Sequence, residues 1–225
     1  VALGCTKVLD KNDLNVVDDR IWDDEVQATL YVNTLYDHNM PTMSLGLNEA
    51  YSDESYSSSQ PITDLMYGFY GSGDIDAVRE LHRDNYQLIR RINIGIDGLE
   101  ASGLDDRLKN PILGQMLFFR AWRYWQMVKL YGGIPMVSTA QDPFFEEDLG
   151  VSRSLTRESV AKILEDLDLA IAYLPTNWVL SKDRGRLTSG AAAAFKGRVL
   201  LSWASPLFNR NNDQSRWQQA YDANV

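Results

Sequence analysis

Two segments of this 225-residue chain carry aromatic and polar residue types that could hold a ligand. Flat aromatic faces bind the apolar faces of sugars, and polar side chains at the rim fix the hydroxyl groups by hydrogen bonds. The first segment offers Asp53, Glu54, Tyr67, Phe69 and Tyr70. The second offers Asn177, Trp178, Lys182 and Arg184. We therefore predict sugar binding at one or both segments. In the alternative interpretation, these aromatic side chains only pin their segments to neighbouring helices.

The carboxylates in the same segments raise the hypothesis of a glycoside hydrolase. Such enzymes hold two acidic groups roughly 5–10 Å apart, and spacing along the chain cannot exclude a pair of this kind. The aromatic and polar pattern favours binding over catalysis. We therefore predict no catalytic residue and no enzymatic activity.

No metal or cofactor is predicted. The acidic run between residues 18 and 25 lacks the alternating spacing and central glycine of a calcium loop, and is typical of a solvated helix start. His38 and His82 stand alone, without the spacing of metal ligands. The Gly-Ser-Gly at residues 71–73 is too short for a phosphate loop, and no lysine follows it.

The charge balance excludes nucleic acid as an expected partner. Lys and Arg total 22 against 31 Asp and Glu, so the formal net charge is −9, and no basic run offers a stripe for phosphates. Hydrophobic residues make up 44% of the chain, which is enough for a sizeable core.

The single cysteine, Cys5, allows neither an intramolecular disulfide nor a cysteine-based metal site. It follows a short apolar run, residues 1–4, that is typical of the end of a lipoprotein signal. We predict that Cys5 is the lipidated residue, with a free structural cysteine as the alternative. Because no stretch of eighteen apolar residues follows, the expected attachment to a membrane is an anchor and not a span.

Hydrophobic periodicity predicts a mainly helical chain. Residues 6–22 suit an extended tether, and residues 41–76 lack periodicity and are predicted as a long loop. Helices are predicted over residues 23–38, 83–101, 106–130, 157–174 and 188–205, with a sixth that begins near residue 215.

Four details of these helices are specific enough to test. Val26, Leu30 and Leu35 are predicted to face the core from the first helix. Thr156 is the predicted N-cap of the fourth helix. Small residues in the fifth helix predict close packing against the fourth. The sixth helix is predicted to run on to Val225, where the sequence cuts it off.

The third helix is predicted to be enclosed by protein. Its polar residues Arg120, Arg123, Gln126 and Lys129 recur every third position, so they drift around the helix and make no broad polar face. Nearly buried guanidinium groups are usually satisfied by carboxylates or helix carbonyls. Arg120 and Arg123 are therefore predicted to be structural.

Helix pairs with small residues at their contacts suggest tetratricopeptide-like stacking, although their spacing is not a strict 34-residue period. We predict an all-α, mainly helical fold, a tetratricopeptide-like helix-pair bundle with long irregular loops. Because the last predicted helix leaves an apolar face without a partner, the bundle is expected to be incomplete at its carboxyl end.

Residues 119–136 read FRAWRYWQMVKLYGGIPM and resemble the signature of the SusD/RagB family, in which an Arg-Ala-aromatic helix runs into Tyr-Gly-Gly and a proline-containing strand. Three further blocks are similar to the family in the expected order: residues 5–22, 52–54 and 187–209. The resemblance covers nearly the whole chain, and family members are considerably longer.

The resemblance implies an outer-membrane lipoprotein at the cell surface that delivers oligosaccharide, or peptide in RagB-like members, to a TonB-dependent transporter barrel (SusC-like). Residues 1–22 would then be the lipoprotein signal remnant and extended tether, and residues 23–225 the amino-terminal part of a SusD-like helical domain. The third possibility is a helical scaffold that binds only protein.

Overall fold

The computed structural model describes residues 19–40, 85–142 and 149–225. Within these ranges the chain forms six α-helices and no β-strand, with a single antiparallel bridge between Pro135 and Arg153. The helices are α1 Glu25–Asn39, α2 Asn85–Ala101, α3 Asp106–Tyr131, α4 Thr156–Tyr173, α5 Ser189–Ala204 and α6 Gln214–Asp222. The predicted all-α fold is confirmed.

Helix α3 is the centre of the bundle, as predicted. It packs against α1, α2 and α4, and an unbroken run of its side chains from Ile112 to Ala121 is buried. Helices α4 and α5 pack together, and α6 packs on α5, so the predicted pairing of the fourth and fifth helices is also confirmed. Each helix buries one face against a neighbour, and α3 has neighbours on most of its circumference.

The start of α1 explains the acidic run. The Asp24 carboxylate is the N-cap and accepts hydrogen bonds from the backbone N–H groups of Val26 at 2.8 Å and Gln27 at 3.1 Å. Asp23 reaches across the fold and accepts the Gly103 N–H at 2.9 Å. The acids therefore satisfy helix-end and turn N–H groups, which would otherwise lack a partner.

The buried face of α1 differs from the prediction. Ala28, Val32 and Leu35 are buried, whereas Val26 and Leu30 are 67% and 58% exposed. Residues 28, 32 and 35 follow helical spacing on one face, and the small Ala28 gives little signal in a hydrophobicity pattern. The prediction was correct for Leu35 and wrong for Val26 and Leu30.

Two details at the ends of later helices also differ. Leu155, not Thr156, is the N-cap of α4, and the Glu158 carboxylate accepts the Leu155 N–H at 3.0 Å. A glutamate three residues into a helix can satisfy the first N–H alone, so the threonine is not needed as a cap. Helix α6 ends at Asp222 with Ala223 as its C-cap, so it is not cut off at Val225.

A buried ion pair joins α3 to α4. Asp166 has no exposed surface, and its two carboxylate oxygens accept hydrogen bonds from Arg120 Nε and Nη2, each at 2.7 Å. Arg120 Nη1 donates to Asn93 Oδ1 at 3.0 Å and to the Ser138 carbonyl at 2.9 Å. Arg120 is therefore structural, as predicted.

Arg123 is likewise held by neighbours. Its Nε donates to Asn39 Oδ1 at 2.7 Å, its Nη1 to Asn85 Oδ1 at 3.2 Å, and its Nη2 to the His38 carbonyl. These bonds tie α3 to the last turn of α1 and the first turn of α2. The predicted structural role of this arginine is confirmed.

The two glycines after α3 are each required for a different structural reason. Gly132 has φ +71°, a conformation that other residues rarely adopt, and its N–H closes the helix on the Val128 carbonyl at 2.9 Å. A Cβ on Gly133 would overlap the Ser154 carbonyl oxygen and lie 3.0 Å from the Thr156 nitrogen. The backbone that leads into α4 therefore lies directly against Gly133.

Gly98 of α2 allows Trp22 to pack against the helix backbone. Trp22 is 3% exposed, and a Cβ on Gly98 would lie 2.5 Å from its Cδ1 and closer still to Nε1 and Cε2. Trp22 lies in the short 3-10 turn Asp19–Asp23 that precedes α1. The missing side chain of Gly98 thus lets this turn dock on α2.

We expect Gly98→Ala to lower the free energy of unfolding by about 1–3 kcal/mol, because Trp22 must leave its site. The control is Gly190→Ala in the first turn of α5, where the new Cβ meets only Thr188 Oγ1 at 3.8 Å. That change should instead raise stability by roughly 0.5–1 kcal/mol, since alanine favours the helix. Urea denaturation followed by circular dichroism measures both changes. If both substitutions stabilised the protein, or both destabilised it, the proposed contact between Gly98 and Trp22 would be contradicted.

Candidate ligand-binding cleft

A cleft of about 360 Å³ opens between the first turns of α1 and α3 and the connection from α4 to α5. We call it the Trp178 cleft. Its lining is Glu25, Thr29, Arg107, Leu108, Pro111, Ile112, Gln115, Pro175, Asn177, Trp178, Val179, Leu180, Lys182, Asp183 and Arg186. The volume is near the lower end of the roughly 300–1,000 Å³ typical of small-molecule sites.

The α4–α5 connection places Trp178 on the wall of the cleft. Pro175 prevents α4 from continuing beyond Leu174, so the chain leaves the helix in an extended conformation. The Trp178 Nε1–H donates to the Leu187 carbonyl at 2.8 Å, and the half-buried ring packs against the hydrophobic core. The indole therefore both fixes its loop and lines the cleft.

Arg186 holds the floor of the Trp178 cleft. Its Nε donates to Asp183 Oδ1 at 2.7 Å, its Nη2 to Asn33 Oδ1 at 2.8 Å, and its Nη1 to Gln115 Oε1 at 3.3 Å. Its Cζ lies 5.9 Å from the Trp178 ring centroid, within the range of a cation–π contact. One side chain thus connects the α4–α5 connection to α1 and α3.

Tyr36 completes this polar network from α1. Its hydroxyl donates to Gln115 Oε1 at 2.8 Å and accepts the Leu187 N–H at 2.8 Å. The Arg186 Cζ lies 5.8 Å from its ring centroid. Burial raises the pKa of the Tyr36 hydroxyl to about 12, so the group keeps its proton at neutral pH and remains a donor.

The structure brings together three of the polar and aromatic residues predicted from the second segment. Asn177, Trp178 and Lys182 line the cleft, whereas Arg184 is exposed and lies outside its lining. The candidates of the first segment lie outside the described residues: Asp53, Glu54, Tyr67, Phe69 and Tyr70. Cys5 lies outside them as well, so its lipidation stays a prediction.

Sequence reasoning missed Arg186, Gln115 and Asn33. Arg186 lies 71 residues from Gln115 and 153 residues from Asn33 along the chain. No local pattern links such residues. The signal that sequence reasoning did detect was Trp178 itself, an aromatic side chain that stands beside polar residues in the α4–α5 connection.

Within the described ranges, no three His, Cys, Asp or Glu side chains are close enough to hold a metal ion. The His38 ring nitrogen Nδ1 donates to the Thr34 carbonyl at 2.7 Å, which is a contact within α1. The same part of the chain contains no helix that combines the length and the apolar character needed to cross a bilayer.

A family model for SusD-like proteins, described as starch-binding and associating with the outer membrane, matches residues 9–201. This match covers most of the chain. The protein belongs to the SusD-like family. The resemblance carried by the α3 signature is therefore confirmed, and that family is carbohydrate-binding and associated with the outer membrane.

Relatives with known names agree with this assignment. A SusD-like protein of Formosa agariphila is 25% identical over 125 residues, which cover 55% of this chain and 23% of that protein. The crystal structure of a SusD-like protein from Bacteroides fragilis matches with a TM-score of 0.75 and 29% identity, over 92% of this chain and 40% of that one.

A laminarin-binding SusD-like protein has the same fold, with a TM-score of 0.60 and 21% identity over 78% of this chain and 40% of that one. The SusD-like chain described here therefore spans less than half the length of the relatives it matches.

Proposed function

We propose that this SusD-like chain is part of a cell-surface protein that binds oligosaccharide and passes it to a TonB-dependent transporter barrel without acting on it chemically. The supporting observation is the Trp178 cleft, in which an indole ring adjoins polar side chains. That arrangement suits a sugar, since the ring can pack on an apolar sugar face while Asn177 and Lys182 bond hydroxyl groups.

The fixed geometry of the cleft supports binding. Because the Trp178 Nε1–H is bonded to Leu187 and Arg186 is bonded on three sides, the wall and floor are ordered before a ligand arrives. A site that is already ordered loses less conformational entropy when it binds.

Further parts of the proposal concern residues outside the described ranges. Asp53, Glu54, Tyr67, Phe69 and Tyr70 would form a second part of the ligand surface. Residues 1–22 were predicted as an extended tether, but residues 19–22 belong to the 3-10 turn that docks on α2. Residues 1–18 would therefore act as the tether, with lipidated Cys5 as the anchor in the outer membrane, and the remaining residues as part of the helical domain.

Trp178→Ala is expected to weaken oligosaccharide binding by about tenfold, equivalent to about 1.4 kcal/mol, because the flat ring contact is lost. Isothermal titration against a panel of oligosaccharides measures this, with circular dichroism to verify folding. The matched control is Trp217→Ala, since Trp217 is 36% exposed on α6 and lies outside the cleft. Equal effects of the two changes would contradict the role of Trp178.

The same titration separates the alternatives. Binding of peptides with no binding of oligosaccharides would favour a RagB-like function. If neither ligand bound and the protein co-purified with a transporter barrel, the helical scaffold that binds only protein would be favoured. Release of new reducing ends from any oligosaccharide would contradict the non-enzymatic part of the proposal.

A further inference from the structure

Two cationic side chains of the Trp178 cleft have no partner among the described residues. Arg107 and Lys182 both line the cleft, and both are exposed. Among the described residues, neither side chain takes part in a hydrogen bond, ion pair or ring contact. Their charges are therefore available to a ligand.

The other charges of the lining leave a positive surplus. Arg186 and Asp183 form an ion pair at 2.7 Å and largely neutralise each other. Glu25 is the other carboxylate among the lining residues. The cleft thus presents two uncommitted cations and one anion, on a chain whose formal net charge is −9.

We propose that the Trp178 cleft selects anionic oligosaccharides, whose charge comes from uronate carboxylates or sulfate esters. This inference rests on the proposed oligosaccharide-binding function and names the class of sugar. The Arg107 guanidinium can bond both oxygens of such a group through two N–H groups, and Lys182 supplies a second point charge. Trp178 holds the apolar face of the same sugar.

The hydrogen bonds of Arg186 explain why Arg107 and Lys182, and not Arg186, would bind the anionic group of the ligand. Its Nε, Nη1 and Nη2 already donate to Asp183, Gln115 and Asn33. Arg186 would have to break these bonds to take a ligand anion, whereas Arg107 and Lys182 need break none. Glu25 remains suited to accept a sugar hydroxyl, which limits the preference to ligands of modest charge density.

The test compares ligands that differ only in charge. Uronate oligosaccharides are titrated beside their carboxyl-reduced counterparts, and sulfated oligosaccharides beside their desulfated counterparts. An exposed charge contact changes affinity by roughly two- to fivefold, so we expect the anionic member of a pair to bind about tenfold more tightly at low salt. Raising the salt from about 0.02 to about 0.5 M should reduce that preference.

Substitutions of cleft residues test whether the preference for anionic oligosaccharides arises at the Trp178 cleft. R107Q/K182Q should reduce the preference to less than about twofold, because the anionic member of a pair loses its charge contacts, whereas a hydroxyl bond lost at position 182 weakens both members alike. Glu25→Gln should increase the preference by about twofold. The control R157Q/K162Q removes the same net charge from α4, outside the cleft, and should leave the preference unchanged.

The outcomes separate this inference from the function on which it rests. If the neutral oligosaccharide bound as tightly as its charged counterpart, or more tightly, in every pair that binds, the anionic preference would be overturned. The proposed binding of oligosaccharides would remain intact. An equal loss of preference in R157Q/K162Q would overturn the assignment to the cleft. No binding of any oligosaccharide, charged or neutral, would overturn the proposed function itself.

Discussion

Asp166→Ala is expected to lower the free energy of unfolding by about 3–5 kcal/mol. The change would remove two hydrogen bonds from Arg120, whose side chain is 6% exposed, and leave its guanidinium buried without a counter-ion. A buried charge without a partner cannot recover its hydration, which makes this loss larger than that of most substitutions. Urea denaturation followed by circular dichroism measures the effect.

Asp168→Ala is the matched control for this prediction. Asp168 lies two residues further along α4 and contacts Lys196, but its side chain is 58% exposed. An exposed ion pair contributes little, so the expected loss is less than about 1 kcal/mol. If the two substitutions lowered the free energy of unfolding by similar amounts, burial of the Arg120–Asp166 pair would not be the cause of the loss in Asp166→Ala.

A double variant tests the mechanism. Replacing the pair with apolar residues, as in R120M/D166L, removes both charges at once. Such replacements of buried pairs are often neutral or stabilising, so the double variant should recover most of the stability lost in Asp166→Ala. Asn93 and the Ser138 carbonyl would still lose a donor, which limits the recovery.

Gly133→Ala is expected to be the second large change, with a loss of about 3 kcal/mol or more. The new Cβ would overlap the Ser154 carbonyl oxygen and press on Leu155, whose carbonyl carbon would be 3.1 Å away. These are backbone atoms, which cannot turn aside as a flexible side chain can. The lead-in to α4 would have to move, and with it the Ser154 N–H to Ile134 carbonyl bond of 3.1 Å.

Gly103→Ala is the control for this glycine. A Cβ there meets only Asp23 Oδ1 at 3.7 Å, which is an ordinary contact. We expect a change within about 0.5 kcal/mol, or a slight gain from the reduced freedom of the unfolded chain. Thermal denaturation of both variants should separate them clearly, and a stable Gly133→Ala would contradict the proposed close approach.

Helix α3 was predictable because its polar residues are few and evenly spaced. Arg120 and Arg123 recur at an interval that leaves no broad polar face, and only an enclosed helix tolerates such a pattern. The partners of these arginines were not predictable by name. Asp166, for example, lies 46 residues from Arg120, and its burial follows from the packing of α4 on α3.

Helix α1 shows the opposite case. Its large aliphatic residues Val26 and Leu30 suggested a buried face, yet α3 and α2 contact the face that contains Ala28. Which side of a short helix is covered depends on its neighbours, and a pattern with few apolar residues does not decide it.

The cleft was predictable only in part. Trp178 and Asn177 could be selected because sugar sites combine a flat aromatic face with polar side chains, and both kinds of residue stand together in this connection. Arg107 could not be selected in this way, because a charged residue in the first turn of a helix is common on any surface. Its role depends on which connection the fold places beside it.

The bond from Arg186 to Asn33 joins residues 153 apart in the sequence. During synthesis, α1 emerges long before the α4–α5 connection does, so the cleft cannot be completed until Trp178 and Arg186 have both been made. Completion of the Trp178 cleft is therefore a late event, which requires an early helix and a late connection of the same chain to meet.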